Sequence, residues 1–207
     1  MYIPEAFRSD PSTLYRLMRD HGFATLVSID AGEPHVTHLP LLLECCDDGS
    51  EAELVGHVAR PNPHWQALTD APDALAIFHG PHGYVSPAWY AERKSVPTWN
   101  YAAVHAWGKV ELIHEPVAVE ALLRQLVDHH EAYRDAPWRM DLPHDYMQSM
   151  IAGIVGVRIR IARLEGKLKL SQNRPRADRE NVVREVRLRN GPDDAALAAM
   201  MEEAMKK

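Results

Sequence analysis

The sequence predicts a mainly β, α+β protein: an antiparallel barrel with peripheral helices. Three observations carry this. About six β-rich stretches follow one another across tight turns rich in Gly, Pro and Asp. Few helical stretches separate them, which suits an antiparallel barrel and not a doubly wound parallel sheet. No G-x-G-x-x-G or Walker sequence occurs, so the classical dinucleotide and P-loop sites lack their signatures.

The elements read in order. Asp10-Pro11 is an N-cap followed by proline at the first helical position. Leu14, Leu17 and Met18 mark the apolar face of that helix, which ends at His21-Gly22. Phe23 to Ile29 is a strand, Asp30-Ala31-Gly32-Glu33-Pro34 a turn, and His35 to Leu43 a second strand. Pro40 inside it predicts an edge or a bulge. Asp47-Asp48-Gly49-Ser50 turns into a third strand, Ala52 to Ala59. Asn62-Pro63 opens a short helix through Leu68. Ala74 to His79 is a fourth strand, Gly80-Pro81-His82-Gly83 a turn, and Tyr84 to Ser86 a short extended piece. Thr98 to Ile113 is a long strand. Pro116 to His130 is a helix with Val119, Leu122, Leu123, Leu126 and Val127 on one face. Pro143 to Ala152 is a helix, Val155 to Leu170 mainly strand, and 178–188 and 193–206 are helical.

With 46% hydrophobic and 25% charged residues over 207, the chain is globular in composition. No run approaches the ~18 apolar residues of a membrane span. Met1-Tyr2-Ile3-Pro4-Glu5 lacks the basic-then-apolar pattern of a signal peptide, so a cytoplasmic protein is expected. The two cysteines, Cys45 and Cys46, are adjacent and match neither a disulfide framework nor a C-x-x-C site. The net charge of −6 is unevenly spread: residues 158–190 hold 11 Lys or Arg against 4 Asp or Glu. Such a strip fits an anionic partner, be it a ligand phosphate, nucleic acid or an acidic surface, and equally a solvated amphipathic helix.

Three stretches carry chemistry. In the first, hydroxyl, amide, phenol and indole groups crowd where a strand begins, at Thr98, Trp99, Asn100 and Tyr101. Tyr84, Trp89, Tyr90, Trp99, Tyr101 and Trp107 place six of the fifteen aromatics within 24 residues. Flat aromatic surface with polar edges suits a planar ligand such as a flavin ring, or packs as an aromatic mini-core. In the second, Gly56 to Trp65, a strand ends, Arg60 follows and a helix starts, the makings of a phosphate cradle. The alternative is a surface ion pair for Arg60 and a plain cap for Asn62. In the third, Lys167 and Lys169 share one strand face opposite Leu168 and Leu170, with Ser171, Gln172 and Asn173 following. This reads as an anion site or as solvated lysines. His35 and His38 face opposite sides of a strand, and no H-E-x-x-H or G-x-S-x-G occurs, so no metal centre or serine nucleophile is assigned.

Six pieces occur in an order that resembles the PaiB family of FMN-binding negative transcriptional regulators. They are Met1-Tyr2-Ile3-Pro4, Thr37-His38-Leu39-Pro40, Gly56-His57-Val58-Ala59-Arg60-Pro61-Asn62-Pro63, Tyr84-Val85-Ser86-Pro87-Ala88-Trp89-Tyr90, Val96-Pro97-Thr98-Trp99-Asn100-Tyr101 and Glu165-Gly166-Lys167-Leu168-Lys169-Leu170-Ser171-Gln172-Asn173. Ala88 departs from the serine expected there. The resemblance implies a split barrel over residues 1–175 with a basic, helical extension at 176–207. It implies a homodimer with FMN in a groove between subunits. Thr37, His38 and Leu39 would lie under the flavin ring. His57, Val58, Ala59, Arg60 and Asn62 would follow the ribityl chain to the phosphate. Thr98, Trp99, Asn100 and Tyr101 would reach the same groove, and Lys167, Lys169, Ser171 and Gln172 would close it.

No residue is assigned a catalytic role, because a bound flavin itself carries hydride transfer. Three functions fit: an FMN-binding regulator of transcription, an FMN-dependent oxidoreductase acting on a small molecule, and a binder of haem or another planar ligand. No clear helix-turn-helix supports the first, so possible DNA binding rests on the basic strip and the resemblance.

Overall fold

The computed structural model describes residues 1–45, 52–91 and 94–206. Cys46 and the Asp47–Ser50 turn lie outside the described residues. In chain order the elements are α1 (Pro11–Asp20), β1 (Phe23–Asp30), β2 (Glu33–Pro40), β3 (Leu42–Cys45), β4 (Ala52–Ala59), α2 (His64–Asp70), β5 (Asp73–Val85), β6 (Thr98–Ile113), α3 (Pro116–Glu131), α4 (His144–Ala152), β7 (Ile154–Lys169), α5 (Arg176–Arg189) and α6 (Asp194–Ala204). The strands form one antiparallel sheet in the order β2-β1-β5-β6-β7-β4-β3.

The chain divides into two compact units. The first comprises Met1–Leu17, His79–His105 and Glu165–Lys207; the second comprises Met18–Phe78 and Ala106–Leu164. The long strands β5, β6 and β7 each run through both.

In the second unit, β1 and β2 form a hairpin in register from Phe23↔Pro40 to Asp30↔Glu33. Ala31 (φ 48°) and Gly32 (φ 85°) supply the left-handed backbone that its two-residue turn needs. Pro40 ends β2, and Leu41 crosses to β3 with its N–H on the Gly22 carbonyl at 2.8 Å. β4 yields space there: a Cβ on Gly56 would stand 2.7 Å from the Pro40 oxygen. The proline therefore breaks the expected long second strand into two. The core of this unit gathers Val55, Ile113, Val119, Leu122, Leu126, Met140, Met147 and Ile151. The apolar face read from the α3 sequence is the one that is buried. Glu115 caps α3 by accepting from the Val117 and Ala118 N–H groups.

The first unit corrects one expectation. Residues 80–83 form no turn, and β5 continues from Asp73 to Val85. The glycines there serve packing. A Cβ on Gly80 would press on Leu17 at 2.9 Å and Ala102 at 3.0 Å, and one on Gly83 would meet Leu197 at 2.9 Å. Glycine in a strand marks close approach as readily as a turn. The same unit buries Val182, Val186, Leu197, Ala198 and Met201 from α5 and α6. At the other end of the chain, Asp10 accepts from the Thr13 N–H and hydroxyl, both at 2.9 Å, at the start of α1. Its hydrogen bonds to Ser12 and Thr13 hold the carboxyl far below the usual carboxylate range.

A side chain on Gly108 would collide with the Arg160 carbonyl of β7, and backbone cannot swing aside as a side-chain tip can. Gly108→Ala is expected to lower stability by roughly 1–3 kcal/mol, read as a lower urea midpoint at unchanged slope.

Candidate functional site

In the second unit two of the expected residues, Thr37 and Asn62, gather around one that the sequence reading passed over, His64. Its ring is buried between two hydroxyls, with Nε2 2.9 Å from Ser28 Oγ and Nδ1 2.8 Å from Thr37 Oγ1. Asn62 donates to Thr37 Oγ1 at 3.0 Å and accepts from the His64 N–H at 3.0 Å. His35 stacks on His64 with ring centroids 5.7 Å apart. The sequence signal was a histidine three and four residues before the buried Ala67 and Leu68, on the apolar face of α2.

The other expected residues of this unit do not share one surface. Strand alternation separates His38 from Thr37 and Leu39: Leu39 is buried, whereas His38 is exposed and bonded to Thr25 at 3.0 Å. On β4, Val58 is buried while Ala59 is exposed, and the buried Nδ1 of half-buried His57 has no hydrogen-bond partner among the described residues. Arg60 is exposed and directs two N–H groups to the junction of α4 and β7, to the Ala152 oxygen at 2.7 Å and the Ile154 oxygen at 2.8 Å. Its remaining N–H groups are the ones available to an anion.

In the first unit, β6 begins with alternating roles. Asn100 is 0% exposed, and its amide bonds Ser171 Oγ at 2.9 Å and Met201 Sδ at 3.4 Å. Trp99, one residue earlier, is 52% exposed. The Lys169 ammonium donates to Thr98 Oγ1 and to the Trp99 oxygen, the latter at 2.7 Å. Burial, then the charges of Lys167 and Arg174, lower its pKa from the ordinary 10.5. Lys167 lies 5.5 Å from the Tyr101 ring centroid and within cation–π range of Tyr2 and Phe7. Ser171 is buried with φ 66°, and the Gln172 amide bridges the Leu168 oxygen and the Leu170 N–H. Asn100, Ser171 and Gln172 thus hold the turn after β7, while Trp99, Tyr101 and Lys169 face outward or half outward.

Beside Trp99 is an open groove of about 290 Å³ lined by His79, Gly80, His82, Trp99, Tyr101 and Ala102. His82 is tilted 30° from the Trp99 plane with ring centroids 6.0 Å apart, and Tyr84 meets Trp99 edge-on at 6.3 Å. Gly80 and Ala102 line its floor. Aromatic walls, a flat floor and a lysine ammonium bonded to the adjoining Trp99 carbonyl fit the ring of a flavin. Among the described residues no group of three or more His, Cys, Asp or Glu is placed to hold a metal ion.

Residues 1–163 match the family model described as "Putative FMN-binding domain". The chain belongs to this FMN-binding family. FMN is the cofactor that membership assigns. The chain is also 36% identical over 209 residues to "Protease synthase and sporulation protein PAI 2" of Bacillus subtilis, covering 100% of this chain and 99% of that one. The PaiB resemblance read from the motifs therefore extends over the whole length. Among solved structures, a FAD and heme binding protein from Mycobacterium smegmatis superposes with a TM-score of 0.58 at 20% identity, over 80% of this chain and 74% of that one. A conserved hypothetical protein from Mycobacterium tuberculosis gives 0.58 at 16% identity, over 84% and 94%. These likenesses show the fold, the split antiparallel barrel with peripheral helices expected from the sequence. No described helix is long and apolar enough to cross a membrane.

Burial lowers the pKa of both His57 and His64 below the ordinary 6.5, with the His35 charge adding to the effect at His64. Below that value the unfolded chain takes up protons that the folded chain refuses, so stability falls with pH. The urea midpoint is expected to drop between about pH 7 and about pH 5.5, and to drop less in His57→Phe. An equal drop in both proteins would exclude His57 as a contributor.

Proposed function

We propose that the flavin ring stacks on Trp99 in the groove of the first unit and that the chain works as an FMN-dependent oxidoreductase on a small molecule. The open groove beside Trp99 carries this reading. FMN, when bound, supplies hydride transfer. The chain's own groups position and tune: Trp99 and Tyr101 give flat surface, and the Lys169 ammonium offers positive charge where a reduced ring gains negative charge. The groove stays open, which leaves room for a second planar reactant.

A regulator of transcription is the second reading, favoured by the likeness to PAI 2 along the whole chain. The basic strip is already engaged within the chain, where each of its eleven cations has a partner, although ring faces and neutral oxygens leave the charge itself in place. Arg158 and Arg160 share Glu53, and Arg163 lies 3.5 Å over the Trp107 ring. Lys167 and Lys169 are held as described. Arg174 stacks on Tyr90, and Arg179 donates to the Ala204 oxygen. Arg176, Arg184, Arg187 and Arg189 pair with Glu180, Glu185, Glu202 and Asp194.

We further propose a homodimer formed through the outward face of the β1–β2 hairpin, where Phe23, Ile29 and Val36 are exposed. Apolar side chains gathered on one sheet face favour a protein partner over water. For the second unit we propose that Arg60 and the neutral donors beside it serve phosphate or polyol oxygens.

Trp99→Ala is expected to weaken FMN binding at least about fivefold in a fluorescence titration, the lower end of aromatic stacking on a flat ring. Unchanged affinity would remove the ring from this groove. Arg60→Ala is expected to cost about 1.5–3 kcal/mol of FMN affinity. NAD(P)H-dependent bleaching of bound flavin supports the oxidoreductase; salt-dependent retention of promoter DNA without bleaching supports the regulator.

A further inference from the structure

We propose that His82, oriented by Asp193, is a ligand-binding residue of the Trp99 groove, and that the segment joining α5 to α6 thereby helps build the site. The ligand class is a planar heteroaromatic ring with a hydrogen-bonding edge. The inference rests on the groove reading above and adds residues that none of the six motifs includes, one of them, Asp193, also beyond the family match.

His82 lines the groove and lies alongside Trp99. Its Nδ1 stands 3.0 Å from Asp193 Oδ2, and its backbone N–H donates to the same oxygen at 3.3 Å. One carboxylate oxygen therefore lies within reach of both the backbone N–H and the ring of a single residue. With Nδ1 committed to Asp193, Nε2 is the nitrogen on the opposite side of the ring. A carboxylate on Nδ1–H sets the tautomer, leaving Nε2 an acceptor in the neutral ring and a donor in the charged one.

Asp193 itself behaves unusually for its position. It is the N-cap residue of α6, a place where Asp normally accepts from the first helical N–H groups. It makes no side-chain capping bond. Its carboxylate turns to His82 instead. Exposed ion pairs contribute little to stability, and both side chains here are largely exposed. The pair is therefore better placed to orient a ring than to hold the fold.

The test is an FMN titration of the flavin-free full chain, followed by flavin fluorescence, with His82→Gln, Asp193→Ala, Asp193→Asn and Trp99→Ala. His82→Gln and Asp193→Ala should weaken binding about three- to tenfold, the value of one hydrogen bond. Asp193→Asn, which keeps an acceptor for Nδ1–H, should stay within about twofold of the parent. Wild-type affinity in His82→Gln and Asp193→Ala, with Trp99→Ala impaired, overturns this inference and leaves the groove reading intact. Unimpaired Trp99→Ala overturns both, as does a parent chain that does not bind FMN. Equal losses in Asp193→Asn and Asp193→Ala overturn the positioning role. If Asp193→Ala fails to fold, the exposed His82→Gln decides alone.

Discussion

Burying the Asn100 amide constrains the first unit more than any other single group. An amide at 0% exposure must find its partners inside the protein or forfeit a large part of its hydration energy. It finds them in Ser171, on the turn after β7, and in Met201, on α6. Three segments far apart in sequence thus meet at one point. Strand alternation then dictates the rest: with Asn100 inward, Trp99 must face outward, and its carbonyl is left for the Lys169 ammonium. The groove is the outer consequence of an inner hydrogen bond.

Much of this was legible in the sequence, for physical reasons. The ends of β6 at Thr98 and Ile113 were readable because a proline precedes one and a proline-led helix follows the other. The buried stripe of α3 was readable because apolar residues recur at helical spacing. β5 was misread because glycine carries two meanings. At Gly80 and Gly83 it makes room for Leu17, Ala102 and Leu197, and no local pattern distinguishes that from a turn. His64 was missed for a related reason: its partners Ser28 and Thr37 lie on two other strands, and a single line of sequence does not show which polar groups meet. Lys167 and Lys169 were correctly placed on one face. Their partners, three aromatic rings for one and Thr98 with the Trp99 carbonyl for the other, come from distant segments.

The charge distribution illustrates the same gap between composition and field. Eleven cations in a strip suggest a surface waiting for an anion. In the folded chain they sit beside carboxylates, carbonyls and aromatic faces, some contributed from far away in sequence, such as Glu53 for Arg158 and Arg160. The carboxylates cancel part of the charge, the rings and carbonyls only hold it in place, and salt screens what remains beyond about 10 Å. Sequence charge is additive, whereas surface potential depends on what folding brings next to each charge.

The family match stops at residue 163, inside β7, while Lys169, Ser171, Asp193 and Met201 all lie beyond it. The family match and the first unit therefore have different edges. A change that loosens α5 or α6 reaches the groove from behind, through Met201 on Asn100 and Asp193 on His82, without altering a residue inside the family match.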